Sequence, residues 1–255
     1  MDTGEQGSVK AVVVLGACST IARATAGEFA RDGYAVILGD PDTEEMACVA
    51  ADLHTRYDVP VHALDFDALD FASHAEFLEA CRRAVGGLPE GLLVFFGYMP
   101  EQAATQADFA LAHRVIDLNF TGVVSILHVF AAAFEARRSG FIAALSSVAG
   151  DRGRKTNYTY GSAKGGLTVF LSGLRNRLHD AGVQVTTVKP GFMDTKMTFG
   201  MKLPAPLVAS PEQAGKDIFA AVKRGKDVVH VRWFWRYIMM IICHIPEWQF
   251  KKMSL

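Results

Sequence analysis

The chain has 255 residues, half of them apolar and 21% charged, with 26 basic against 27 acidic side chains and a formal net charge of −1. That length supplies a sizeable core for one large domain or two small ones, and the charge balance argues against a nucleic-acid partner. Four scattered cysteines (Cys18, Cys48, Cys81 and Cys243) show no metal-type or redox spacing, which predicts reduced thiols, a cytoplasmic setting and no metal site, and the polar, acidic opening (MDTGEQGSVK) does not read as a signal sequence.

Taken in chain order, the apolar run at 9–15 (VKAVVVL) ends at Gly16 and predicts a strand buried on both faces. A helical pattern follows, with Ile21, Ala24, Phe29 and Ala30 on its apolar side, and stops at Asp32-Gly33. A second strand at 34–38 (YAVIL) closes with Gly39-Asp40-Pro41. Strand, glycine turn, helix and strand within about thirty residues make a βαβ unit. The alternation continues with helices expected at about 42–57 and 70–84 and strands at 59–64 and 92–96. Beyond them lie a long, mostly helical region at about 105–138 and a strand at 140–145. A helix at about 157–181, a strand at 183–188, a helix at 211–224 and a strand at 227–231 complete the pattern. Such alternation predicts an α/β fold: one doubly wound Rossmann-type domain over 1–255, with about seven mostly parallel strands and helices on both faces. Outside that frame stand a polar tail (1–8), an irregular segment at 192–210 with Met193, Met197 and Met201 expected to form a substrate loop, and an apolar, aromatic extension at 232–255.

In such sheets ligands bind beyond the carboxyl ends of the strands. Here those ends carry Gly16, Asp40, Asp65, Gly97, Ser146-Ser147 and Pro190-Gly191. The stretch SSVAGDRGRKTNYTYGSAK, from Ser146 to Lys164, adds a tyrosine and a lysine four apart. On a helix that spacing puts Tyr160 and Lys164 on one face, one turn apart. An ammonium group beside a phenol lowers the phenol's pKa, so Tyr160 is expected to exchange protons near neutral pH. Ser147, in the loop after a strand, is placed to hydrogen-bond a substrate oxygen. A partly buried tyrosine beside a solvated lysine is the plain alternative.

At the first turn, Gly16 supplies the tight bend that sets a dinucleotide pyrophosphate against a helix N-terminus. Thr20 and Ala22 stand where a full glycine fingerprint has glycines, and the hydroxyls of Ser19 and Thr20 are candidate phosphate ligands. Asp40 ends the second strand, where an acidic side chain accepts hydrogen bonds from ribose hydroxyls and repels a 2′-phosphate. NAD(H) is therefore favoured over NADP(H), with nearby Arg23 as the feature on the other side. Asp65 is a candidate for the adenine amino group, or simply opens a turn in DFDALD.

These pieces resemble the short-chain dehydrogenase/reductase family in content and order across nearly the whole chain: the turn from Gly16 to Ala22, Asp65, Asn119 in DLNFTG, Ser147, the YxxxK pair Tyr160 and Lys164, and Pro190-Gly191 with Thr195. The resemblance implies a nicotinamide-dependent oxidoreductase acting on a ketone or secondary alcohol. It implies Tyr160 as the proton donor and acceptor and Lys164 as the group that lowers its pKa and bonds the nicotinamide ribose. Ser147 would orient the substrate, and Asn119 would hold a water on a proton path to Lys164 or else bond local backbone. The implied cofactor set is Gly16, Ser19, Thr20, Ile21, Asp40, Asp65, Phe66, Gly97, Lys164, Pro190, Gly191 and Thr195, with Thr195 either bonding the carboxamide or capping the next turn. One departure stands out: the usual NNAG after the fourth strand is Phe95-Phe96-Gly97-Tyr98, which puts in doubt how the central sheet is braced.

LDFDALD, SSVAGDRGR, NYTYGSAKGGL and FWRYIMMIICHIPEWQFKK look like the bacterial reductases that act on a polyprenyl-phosphate-linked 2-keto pentose. That narrower likeness implies a lipid-linked carbonyl substrate. In the tail, WFWRYIMMIICHI is too short to span a bilayer, yet Trp233, Trp235, Tyr237, Trp248, Lys251 and Lys252 are residue types that suit a membrane interface. Residues 232–252 therefore read as a membrane-surface contact, or equally as a lid or a subunit interface in a homo-oligomer. A small soluble ketone, a steroid or an acyl substrate is the alternative within the same chemistry. A nucleotide-binding interaction protein with lost activity is the alternative outside it.

Overall fold

The apolar runs become seven parallel strands in the computed structural model, which describes residues 9–195, 198, 200 and 204–253. The expectations for the 1–8 tail and for Met197 and Met201 lie outside those residues. The strands are β1 (Val9–Leu15), β2 (Ala35–Asp40), β3 (Val61–Asp65), β4 (Pro89–Val94), β5 (Gly140–Leu145), β6 (Val183–Pro190) and, after a short parallel pair formed by β7 (Phe192–Met193) and β8 (Val208–Ala209), β9 (Val228–Val231). Their order in the sheet is β3-β2-β1-β4-β5-β6-β9, and every pairing is parallel. The chain leaves β1 toward one edge and returns to β4 on its other side. Strand order thus reverses between β1 and β4, which opens a crevice at their carboxyl ends.

The strands carry no polar alternation because both faces are covered. Val12 and Val14 join one apolar layer, with Phe29 of α1 (Thr20–Arg31), Met46 of α2 (Thr43–Tyr57) and Ile218 of α8 (Pro211–Lys223). Val13 and Leu15 join the other layer. It is shared with Phe77 of α3 (His74–Val85), Phe130 of α6 (Gly122–Arg137) and Leu171 of α7 (Tyr158–Leu178). Phe29 is fully buried, with ring centroids of Tyr34, Phe141 and Phe219 at 5.2, 5.6 and 5.0 Å. Truncating such a ring to alanine costs about 3–5 kcal/mol.

The long helical region is not one helix. It divides into α4 (Gln102–Ala107), α5 (Phe109–Ile116), a π-turn at Asp117–Thr121 and α6. Asp108 breaks it first: its backbone is extended, and its Oδ1 accepts the Ala110 N–H at 2.8 Å, capping α5. At Asn119 the side-chain amide donates to the Val115 carbonyl at 2.8 Å, and the Gly122 N–H reaches five residues back to Asp117. A side chain competing for a helix carbonyl is a physical reason for such a π-turn. The run Phe109–Arg137 is long and apolar enough to cross a membrane by composition. Val123, Ile126, Leu127, Phe130, Ala131 and Phe134 nevertheless bury one side of it in the core.

β4 starts three residues before the expected 92–96 and ends at Val94. Pro89-Glu90-Gly91 has no apolar signal, yet β4 follows β1 from Val9↔Pro89 onward. It ends where the Gly16 turn presses on Phe96. With φ at +74°, Gly16 leaves no room for a side chain: a Cβ there would lie 2.5 Å from the Phe96 nitrogen.

Candidate active site

Several segments converge on the crevice beyond β4 and β5. Ser147 follows β5 in extended backbone, and its Oγ accepts the Ala149 N–H at 3.0 Å, capping a short 3-10 turn at Val148–Gly150. That turn lies flat on α7, since a Cβ on Gly150 would be 2.6 Å from the Gly165 nitrogen. The close contact brings the Ser147 hydroxyl near the Tyr160 phenol, where it acts to lower the phenol's pKa. Neighbouring Ser146 is fully buried and bonds the Lys164 carbonyl at 2.9 Å and Thr168 Oγ1 at 2.8 Å, which makes it a brace between β5 and α7.

Lys164 lies one turn beyond Tyr160, buried, with its Nζ donating to the Leu145 carbonyl at 2.8 Å. Here the structure corrects the expected electrostatics. Lys164 Nζ is 5.8 Å from the Tyr160 ring centroid, its hydrogen bond goes to backbone, and burial pushes the amine down to about 7. Burial also pushes the phenol up to about 12, with only Ser147 pulling the other way. Desolvation disfavours both charged forms and outweighs the Coulomb attraction that the YxxxK spacing suggested. Tyr160 is half-buried and keeps part of its surface open.

Asn119 is fully buried and gives its amide to the carbonyls of Tyr98 (2.7 Å) and Val115 (2.8 Å), while its Oδ1 accepts the Tyr98 N–H at 3.2 Å. It therefore clamps the segment after β4, the bracing that the missing NNAG put in doubt. Gly97 makes room for this cluster: a Cβ there would lie 2.7 Å from Asn119 Oδ1 and 3.5 Å from Lys164 Nζ. Gly97, Asn119, Ser147, Tyr160 and Lys164 thus share one pocket wall.

At the nucleotide end, Ser19 caps α1 by accepting the Ala22 N–H at 3.3 Å. Thr20 Oγ1 is buried without a partner beside that helix N-terminus. An orphaned hydroxyl and free helix N–H groups around the Gly16 turn fit a dinucleotide pyrophosphate. Asp40 accepts from the backbone N–H groups of Cys18 (3.1 Å) and Asp42 (3.2 Å), which holds its carboxylate at the end of β2. The half-buried Cys18 thiol is pushed up to about 12 by burial and by that carboxylate. Arg23 is engaged by Glu45. Asp65 stands exposed at the end of β3, paired in register with Asp40. The side chains of Phe66 and Ile21 are buried in the core, Phe66 against His74 and Phe77, which leaves a cofactor role at those positions to their backbones. Thr195 is taken up by its own turn, its N–H and hydroxyl both at Thr198 Oγ1 (3.3 and 3.4 Å).

The tail decides the far wall. α9 (Trp235–His244), followed by α10 (Glu247–Phe250), buries Trp235 and Met239 against Val148, the residue after Ser147. A Cβ on Gly191 would overlap the Trp235 indole at 1.9 Å, and Phe192 stacks on it edge-on at 5.0 Å. The tail therefore borders the cleft as a fixed wall. Arg152 ties it down, donating to the carbonyls of Ile242 and Ile245 (2.6 Å each) and pairing with Glu247 at 3.0 Å. Sequence reasoning missed Arg152, Arg154, Asn157 and the inward role of Trp235. The first three sit in a polar run that reads as a solvated loop, and nothing in it signals burial.

A family model described as short chain dehydrogenase matches residues 10–203. An uncharacterised oxidoreductase of Mycobacterium tuberculosis (strain CDC 1551 / Oshkosh) is 35% identical over 245 residues, 95% of this chain and 96% of its own. Serine 3-dehydrogenase of Rhizobium radiobacter is 30% identical over 197 residues, 73% of each chain. Among solved structures, a short-chain dehydrogenase from Sphingobium yanoikuyae in complex with NADPH has a TM-score of 0.78 at 23% identity. That likeness, over 94% of this chain and 97% of the other, is one of fold.

Proposed function

The chain belongs to the short-chain dehydrogenase family, and from that premise we propose that it reduces a ketone, using Asn119, Ser147, Tyr160 and Lys164 as its catalytic set. That it is an oxidoreductase moving hydride between a nicotinamide cofactor and a carbonyl or secondary alcohol follows from the family. The observation that carries the residue roles is the meeting of Ser147, Tyr160 and Lys164 at the sheet's carboxyl edge, with Ser147 Oγ fixed by the Ala149 N–H and Lys164 Nζ 5.8 Å from the Tyr160 ring centroid.

When bound, the nicotinamide supplies the hydride. Tyr160 holds its proton at neutral pH, as any phenol does, and burial raises its pKa further, so it starts as the acid that a reduction needs. One lone pair of Ser147 is committed to the Ala149 N–H, which fixes Oγ beside Tyr160, where its O–H would turn to a bound substrate oxygen. Lys164, its amine pushed down to about 7 by burial, is poised to take and release a proton behind the tyrosine. Asn119 holds the floor of the pocket through Tyr98. Gly16, Ser19, Thr20 and the backbone of Ile21 would hold the pyrophosphate, and Asp40 the adenosine ribose. Asp65 and the Phe66 backbone would hold the adenine, Gly97 would let the adenosine ribose lie against the backbone, and Lys164, Pro190, Gly191 and Thr195 would lie at the nicotinamide end. Asp40 at the end of β2, with Arg23 engaged by Glu45, supports NAD(H) over NADP(H). The test is kcat/KM with NADH against NADPH: an NADPH preference above about tenfold, or 1.4 kcal/mol, overturns that choice.

For the substrate, the proposal is a lipid-linked 2-keto sugar met at the cytoplasmic face of a membrane. Its support is the outer face of α9. Trp233, Tyr237, Met240 and Ile241 are exposed there, with Trp248, Lys251 and Lys252 just beyond. Deleting the tail would also strip Trp235 and Met239 from the core, so the clean test is a surface variant. Trp233→Ser/Ile241→Ser should lose co-sedimentation with anionic liposomes and keep its melting temperature; equal partitioning of both proteins removes the membrane reading. A small soluble ketone is the second reading, with the same exposed face free for other contacts. The exposed Phe109, Ile116 and Val169 on α5, its end and α7 support a homo-oligomer, to be checked by light scattering.

A further inference from the structure

Six side-chain nitrogen or oxygen atoms are buried without a hydrogen-bond partner among the described residues, and three of them lie on the substrate side of the cleft: Arg154 Nε, Asn157 Oδ1 and Trp235 Nε1. Arg154 is only 9% exposed. Its Nη2 lies 3.3 Å from the Met239 thioether, a weak acceptor that carries no charge. The acid closest in sequence, Asp151, is committed to Lys189 at 2.5 Å, and Glu247 to Arg152. Arg154 therefore has no carboxylate partner among the described residues. Asp151 acts on Arg154 only from beyond ion-pair distance, and a buried cation without a direct partner is costly, so that an apolar side chain of the same size would be cheaper. Desolvation lowers its pKa, yet a guanidinium remains charged at neutral pH.

The position ties this cation to the site. Arg154 and Asn157 form one turn (Asn157 N–H to the Arg154 carbonyl, 3.2 Å) that leads into α7, three residues before Tyr160. Met239 and Trp235 are neighbours one turn apart on the inner face of α9, against Val148 and Gly191. In the segment that leads into the tyrosine's helix and in the α9 wall against it thus lie a planar cation held only by a thioether, an amide oxygen and an indole N–H, with Arg154 Nε, Asn157 Oδ1 and Trp235 Nε1 left without partners.

We propose that Arg154 is a specificity residue that receives an anionic group on the substrate, a phosphate or carboxylate attached to the ketone, with Asn157 and Trp235 meeting hydroxyl groups next to it. The proposal rests on the oxidoreductase reading of the site and adds the substrate class. A guanidinium matches an oxyanion through parallel N–H bonds, which suits a phosphate monoester and a lipid phosphodiester alike.

The experiment compares wild type with Arg154→Met, which keeps the volume, and Arg154→Lys, which keeps the charge. Each is assayed on a neutral 2-ketose, its phosphate monoester and its decyl phosphodiester, and each is titrated with methyl phosphate by calorimetry. In wild type kcat/KM for the better anionic ester should exceed that for the neutral ketose by about 30-fold, the range of a charge-assisted hydrogen bond. In Arg154→Met that ratio should fall to about 1, with Arg154→Lys between, and methyl phosphate binding should be lost. A preference for the decyl ester assigns the anion to a lipid and a preference for the monoester to a soluble substrate; both uphold Arg154. If no ketone is reduced but methyl phosphate binding is lost in Arg154→Met, the oxidoreductase reading fails and the anion site stands. Equal losses on neutral and anionic ketones, or methyl phosphate bound equally or by neither protein, overturn the proposal.

Discussion

The two ends of the cleft handle polar groups in opposite ways. At the nucleotide end most of them are already satisfied by the chain: Ser19 by Ala22, Asp40 by Cys18 and Asp42, Arg23 in part by Glu45. That end is a preformed cradle of backbone turns, with Thr20 Oγ1 and Arg23 Nε left over. At the substrate end the wall is mostly apolar, built from Val148, Phe192, Trp235 and Met239, and its few polar groups lack partners. A shared cofactor can be met by backbone geometry, whereas a particular substrate must be met by side chains held ready at a cost in stability. Between the two lie Tyr160 and Lys164, where burial rather than charge pairing sets the pKa values.

The sharpest break in this comparison is Tyr160→Phe. It should lower kcat/KM by about 10³-fold or more, as loss of a general acid does, while the dissociation constant for NADH, read by fluorescence, stays within about twofold because the nucleotide end is untouched. Next is Lys164→Met, which should also abolish turnover. Its stability effect has a sign that tests the desolvation account. The folded amine sits near 7, below its ordinary 10.5, so between those values the unfolded chain holds a proton that the folded chain lacks. Wild-type stability therefore rises with pH through that window, and the cost of a buried charge is fully present below it. Lys164→Met should be the more stable protein at pH 6, and its advantage should shrink by about 2–3 kcal/mol by pH 9, measured by denaturant melts. An advantage that does not change with pH removes the desolvation argument.

Smaller effects separate neighbouring residues. Ser147→Ala should cost about 10–100-fold in kcat/KM, along with about 1 kcal/mol of stability from the lost bond to the Ala149 N–H. Ser146→Ala should cost about 1 kcal/mol of stability, from the bonds to Lys164 and Thr168, and leave turnover within a few-fold. Reversed results would place the reacting hydroxyl on the wrong serine. The smallest effect belongs to the nucleotide end: Asp40→Asn should narrow the NADH preference by about tenfold in the ratio of kcat/KM values, with kcat on NADH held within about threefold.

Much of the molecule was legible because it depends on local signals. The βαβ alternation, the order of the elements and the strand-end edge follow from apolar runs punctuated by glycine and aspartate. The Tyr160–Lys164 pair follows from helix periodicity. Even Ser147 over Ser146 could be chosen, and the structure gives the two distinct partners. The division of 105–138 at Asp108 and Asn119 was hidden because its cause, side chains competing for helix backbone groups, leaves the apolar pattern intact. Phe66 and Ile21 sit beside the right turns, but their side chains point into the core.

The sequence by itself determined an α/β oxidoreductase framework with a glycine turn at Gly16 and a tyrosine–lysine pair one helix turn apart at Tyr160 and Lys164, since periodicity and turn chemistry act over a few residues. Tertiary structure alone decided that Lys164 bonds a carbonyl instead of the phenol, that Asn119 replaces the missing NNAG brace, and that the aromatic tail closes the substrate wall. It also decided that Arg154, one charge in a polar run, is buried without a counter-ion. Each of those outcomes depends on desolvation and on contacts between segments up to about ninety residues apart, such as Arg152 with α9. Burial of that kind is set by what packs around a residue, and no local spacing encodes it.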